Sequence, residues 1–151
     1  MRCLLFLALS LSLLSCNNDD DNKPDCSLID CAATEWYLDL TSSTTGENLF
    51  ENNSLNKENI SVVSTITDKH VDFLVFNGLL ILPFGNYTGN FSEVSYEVKN
   101  NDQILFTLTF EAKLEIPENQ CCPDASVRNV SFDNAQTEKS DKTKYTVILN
   151  L

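Results

Sequence analysis

The chain of 151 residues holds one histidine, one tryptophan and one methionine, and only 10 basic residues stand against 22 acidic ones. Its formal net charge of −12 repels phosphate backbones and anionic lipid headgroups, which excludes nucleic acid as a partner. No apolar run approaches the roughly 20 residues that cross a bilayer as a helix. There is no nucleophile elbow, no phosphate-cradling glycine loop and no His-Glu zinc motif. The sole histidine, His70, is expected in a turn between Lys69 and Val71. Ser64 and Asp72 are the nearest hydroxyl and carboxylate, and period-two geometry gives the three no reason to converge. Glu111 and Glu115 fall on one strand face about 13 Å apart, too far for the paired carboxylates of a glycosidase. The sequence therefore implies no enzyme and no cofactor. A hydrolase whose carboxylates converge from different strands is an alternative that only spatial information can decide.

What is present begins at the amino terminus. After Arg2, an apolar run from Leu4 to Leu14 ends in Leu13-Leu14-Ser15-Cys16, followed at once by Asn17-Asn18-Asp19-Asp20-Asp21-Asn22. The run is too short to span a membrane and reads as a signal peptide over residues 1–15. Leu-Leu-Ser-Cys resembles the lipobox of a bacterial lipoprotein, which implies cleavage before Cys16 and lipid attachment to it. Two or more acyl chains hold a protein stably on a membrane without crossing it. Asp19, Asp20 and Asp21, just beyond that cysteine, resemble the surface-export signal of lipoproteins of the Bacteroidota. The resemblance implies an outer-membrane lipoprotein exposed at the cell surface, with the periplasmic face as the alternative. Physically, the acidic tract is a solvated tether within residues 16–33; it lacks the glycine and closing glutamate of a calcium loop.

Four further cysteines, Cys26, Cys31, Cys121 and Cys122, make an even count in an exported chain and read as disulfides. Bonding the neighbours Cys121 and Cys122 would need a strained eight-membered ring. Two bridges from the 26/31 pair to the 121/122 pair are therefore expected, in either order, each closing a loop of about 90 residues. A four-thiolate zinc site is the rival, disfavoured by adjacent cysteines and by an oxidising compartment.

From residue 34 to 151 the chain alternates with period two. Strands are expected at 36–41, 60–67, 71–76, 79–82, 91–98, 104–116, 127–132 and 144–149, with 133–143 a polar connection. Asn77-Gly78 between two apolar runs is the strongest hairpin signal. The stretch 104–116 has seven apolar positions on one face and would extend about 43 Å, so a bend or bulge is expected in it. About eight short strands and no helical period indicate an all-β chain, an antiparallel β-sandwich. An immunoglobulin-like topology stays open, and a small β-barrel is the alternative. The Thr-Gly-Glu-Asn-Leu-Phe turn and the late Cys-Cys make the body similar to small lipoproteins of the same phylum, a likeness that implies a setting and no activity.

Within the body, residues 83–92 set Phe84, Tyr87 and Phe91 among glycines and asparagines. Such aromatics can stack on sugar rings or anchor a protein; the competing and favoured expectation is that Phe84 and Phe91 cap the core while Tyr87 shows. The sequence thus reads as a non-catalytic, lipid-anchored surface module whose partner is a glycan or an envelope protein. Its alternative is a carrier of a small apolar ligand, with Phe106, Phe110 and Val75 lining a barrel interior.

Overall fold

The computed structural model describes residues 25–31, 34–85 and 89–151. The signal segment, Cys16, Asp19, Asp20, Asp21 and Tyr87 lie outside the described residues. Ten strands follow in order: β1 (Glu35–Ser42), β2 (Ile60–Ser64), β3 (Lys69–His70), β4 (Leu74–Phe76), β5 (Leu79–Pro83), β6 (Ser92–Asn100), β7 (Gln103–Glu115), β8 (Asp124–Asp133), β9 (Gln136–Lys139) and β10 (Lys144–Leu149). They form two five-stranded sheets, β4-β5-β1-β10-β9 and β3-β2-β6-β7-β8. All pairings are antiparallel except that of β1 with β10, which runs parallel from Tyr37↔Lys144 to Ser42↔Leu149. The sheets do not close into a barrel, so the fold is a β-sandwich and the barrel alternative falls.

The core follows from alternation. Trp36, Leu38 and Leu40 of β1 and Leu80 and Leu82 of β5 are buried against Val94, Tyr96 and Val98 of β6 and Phe106, Leu108, Phe110 and Ala112 of β7. Each such apolar side chain contributes about 1.5–3 kcal/mol when taken from water. Trp36 is the hub of one end, with Phe84 at 4.8 Å, Phe110 at 5.0 Å and Tyr145 at 5.7 Å between ring centroids. Phe106 and Phe110, the expected lining of a carrier's interior, are fully buried in this packing.

Several strand expectations need correction. Residues 71–73 leave the sheets: Val71 N–H bonds back to the Val62 carbonyl, and the chain crosses to the other sheet before β4 begins. His70 lies in β3, opposite Val63, rather than in a turn; the turn falls at 65–68 and ends at Asp68 with φ 54°. Strand β9 sits in the expected polar connection because its four residues are all exposed, so no apolar period announced it. The long strand does contain irregular pairing, with its register to β8 shifting between Thr109 and Glu111. A second shift, between Val98 and Lys99 of β6, accompanies a break in the alternation, leaving Leu105 buried and Ile104 exposed.

Two disulfides join Cys26 to Cys121 and Cys31 to Cys122, with Cα–Cα distances of 5.2 and 5.3 Å. They attach the segment preceding β1 to the connection after β7. No helix among the described residues is long and apolar enough to cross a membrane.

Candidate functional site

The strand directions give the sandwich two unlike ends. At one end lie the disulfides, the start of β1, the ends of β5 and β7 and the start of β6. At the other, residues 43–59 lie beside the β4–β5 and β6–β7 turns and the carboxyl terminus.

Residues 43–59 fold as a long connection between the sheets, held down by two leucine plugs. Leu49 and Leu55 are buried in the core; Leu49 N–H donates to the Leu40 carbonyl, and Leu55 N–H to the Leu49 carbonyl. Asparagines shape the rest, because their short amides imitate backbone turns and tolerate positive φ. Asn48 Oδ1 accepts from the N–H groups of Phe50 and Glu51, and its Nδ2 donates to Asp39 Oδ1 at 2.7 Å and to the Gly78 carbonyl at 3.0 Å. Asn52 Oδ1 accepts from Ser54 N–H, Asn53 adopts φ 62°, and Asn56 caps a single 3-10 turn by accepting from Glu58 N–H. Asn59 lends its carbonyl to Asn101 N–H at 2.6 Å, which fastens the connection to the β6–β7 turn.

Open clefts flank this loop. One, of about 380 Å³, is walled by Phe50, Asn53, Leu55, Asn56, Lys57 and Val75. A second, of about 390 Å³, includes Ser42, Thr45, Glu47, Leu49, Asn52 and Asn100. The Oδ1 of Asn100 is shut off from solvent and accepts no hydrogen bond among the described residues. Both clefts join apolar floors to amide and charged rims, and the second adds the hydroxyls of Ser42 and Thr45, a composition that suits a polar ligand or a peptide.

Phe84 and Phe91, the described members of the expected aromatic set, lie at the disulfide end instead. Phe84 is 1% exposed and packs on Trp36, so it offers no ring face to a ligand. Phe91 is half-buried; the Arg128 guanidinium carbon lies 4.0 Å from its ring centroid and Lys113 Nζ 5.9 Å. Arg128 Nε also donates to Glu111 at 2.5 Å, and Asn129 Nδ2 donates to the other carboxylate oxygen at 2.9 Å. These bonds, Asn129's first, hold the Glu111 carboxyl below the usual glutamate range. No hydrogen bond links His70, Ser64 and Asp72 among the described residues: the Ser64 hydroxyl accepts from Thr67 N–H, while His70 is exposed on β3. Among the described residues no three His, Cys, Asp or Glu side chains are placed to hold a metal.

The sequence held one signal for the cleft loop, its five asparagines at 48, 52, 53, 56 and 59, which polarity alone marks only as a connection. No family model, curated protein or solved structure matches the chain.

Proposed function

We propose that the chain is a non-catalytic, lipid-anchored β-sandwich module at the cell surface, which holds a glycan or an envelope protein with the end opposite its disulfides. The observation that carries this reading is the opposition of the two ends. The segment leading to Cys16 is bridged to the sandwich at one end, whereas the asparagine-built loop and its clefts occupy the other. A tether bound at the disulfide end leaves the cleft end free to meet a partner. The Leu-Leu-Ser-Cys sequence and the acidic residues Asp19, Asp20 and Asp21 support the anchor and its display. The disulfides suit an oxidising extracytoplasmic setting.

Protease treatment of intact cells, followed by immunoblotting for this chain, tests display. Loss of the band, with a cytosolic control intact, is expected. Full protection in a chain that is cleaved once cells are lysed would overturn it. Display alone does not test binding, so the full chain is also compared with Asn53→Ala and Asn56→Ala variants on immobilised glycans and envelope extracts. Reduced retention of the variants is the expected outcome, and unchanged retention would remove the cleft loop from the function.

A further inference from the structure

A sheet edge recruits other strands because one row of its N–H and C=O groups has no partner, and proteins guard such edges with charge or bulges. Three of the four edges here are guarded. β9 carries Glu138 and Lys139, β3 consists of Lys69 and His70, and β8 carries Asp124, Arg128 and Asp133 beside a register shift. The fourth edge, β4, is Leu74, Val75 and Phe76, without a charge. Leu74 and Phe76 are 63% and 65% exposed. They stand opposite Ile81 and Leu79 of β5, and Ile81 stands opposite Tyr37 of β1, so one apolar strip runs across the outer face of this sheet. By contrast, the facing positions of β7 on the other sheet are Thr107, Thr109, Glu111, Lys113 and Glu115.

We propose that β4 docks an extended segment of a partner protein that carries lysine or arginine among apolar residues and adds a strand to the first sheet. This rests on the reading of the chain as a binding module and names the partner's chemistry. Phe76 and Leu79 close a two-residue hairpin, so the alternation of an antiparallel ladder turns the N–H and C=O of Val75 outward, away from β5. The side chain of Val75 walls the cleft that also holds Phe50 and Leu55. An added strand thus gains backbone bonds from the edge and a socket for one of its alternate side chains, the two ingredients of strand addition.

Charge selects the occupant. Glu35, Asp39, Glu51 and Asp72 border the strip: Glu35 accepts from the Tyr37 hydroxyl, Asp39 pairs with Leu79, Glu51 lies beside Gly78, and Asp72 precedes β4. None of the four is in an ion pair among the described residues, whereas Glu97, Glu111, Glu115 and Asp124, on strands of the other sheet, each have a cation. Lys57 lines the cleft beside Val75 and Lys144 pairs with Tyr37, two cations against these four carboxylates, so the strip is net acidic. A second copy of the chain would bring the same carboxylates and is opposed by its own charge; a cationic segment is drawn in.

The test uses the full chain in detergent and three short labelled peptides: alternating lysine and valine, alternating glutamate and valine, and the lysine peptide with prolines that block backbone pairing. The lysine–valine peptide is expected to bind and to protect the Val75 amide from hydrogen exchange. The other two peptides, and the double variant Leu74→Ser/Phe76→Ser, are expected to lose about tenfold or more in affinity. Equal binding of the proline peptide, an unprotected Val75 amide, or a dimer of the chain that the double variant abolishes would each overturn the proposal. So would a glycan that binds the Phe50–Leu55 cleft while the lysine–valine peptide does not. The double variant leaves the anchor and the asparagine loop intact, so surface display and glycan retention report separately on the broader reading.

Discussion

Asn48 donates from its side-chain nitrogen to Asp39 Oδ1 at 2.7 Å, joining the cleft loop to the middle of β1. The same nitrogen reaches the Gly78 carbonyl at 3.0 Å, so one amide ties the loop, a central strand and the β4–β5 turn together. Asn48→Ala removes these bonds and the two that its oxygen accepts. It is expected to lower stability by about 2 kcal/mol, seen as a reduced denaturant midpoint at unchanged slope. Asn48→Asp keeps the acceptor but sets a second carboxylate against Asp39, and should fall at least as far. A cost for the alanine variant within experimental error would show that the amide does not organise this end.

The disulfides are expected to be non-additive. With Cys26–Cys121 in place, the second bridge closes only a small additional ring, whose constraint on the unfolded chain amounts to about 2 kcal/mol. With both removed, the loop spanning the 91-residue separation of Cys31 and Cys122 opens as well, which costs about 4.5 kcal/mol more. Cys26→Ser/Cys121→Ser and Cys31→Ser/Cys122→Ser should therefore each lower stability modestly, and the quadruple variant by more. If either double variant alone matched the quadruple one, the loop-closure account would fail.

Trp36 combines complete burial with an indole N–H that has no hydrogen-bond acceptor among the described residues. Trp36→Phe trades lost packing against the relief of that unpaired donor, so its cost should be small, about 1 kcal/mol. Phe110→Ala, at an equally buried ring with no polar atom, should cost about 4 kcal/mol because nothing offsets the cavity. Equilibrium unfolding of both variants checks the order; a Trp36→Phe cost equal to that of Phe110→Ala would mean that the N–H carries no penalty.

Acid should weaken the contact between β7 and β8. The bonds from Asn129 and Arg128 lower the Glu111 pKa in the folded state. A lowered folded-state pKa contributes stability above the ordinary glutamate value and loses it as pH falls through the folded-state one. Carboxyl-carbon NMR should show Glu111 titrating below free glutamate, and Asn129→Ala should move it upward. The Glu111 side chain is only partly buried, and high salt should reduce the shift. Titration at the free value would sink this account.

Much of the architecture was legible. The alternation of β7 from Phe106 onward, the Asn77-Gly78 turn and the buried even-numbered positions of β5 and β1 arise from local periodicity, and each stands where the sequence indicates. The cysteine pairs were legible as two long bridges, though not their order, since neighbouring cysteines give spacing no means to tell 121 from 122. The end of the sandwich holding the clefts was far less so. Five asparagines read as a polar connection, because what makes them a site is the burial of Leu49 and Leu55 beneath them. The aromatic loop was legible in part: Phe84 was expected to cap the core rather than present its ring, and Trp36 and Phe110, distant in sequence, take up that ring.

The sequence by itself determined an all-β chain whose longer strands keep one wet face, an acidic composition, and bridges from its amino-terminal segment to the connection after its longest strand. Those follow from composition, period and residue chemistry, which need no neighbours. Tertiary structure decided the parallel meeting of β1 and β10, the strand β9 without apolar signal, the opposition of disulfides and clefts, and the uncharged edge at β4. Each of these depends on which strands lie side by side, and that is set by long-range packing that no local window of residues contains.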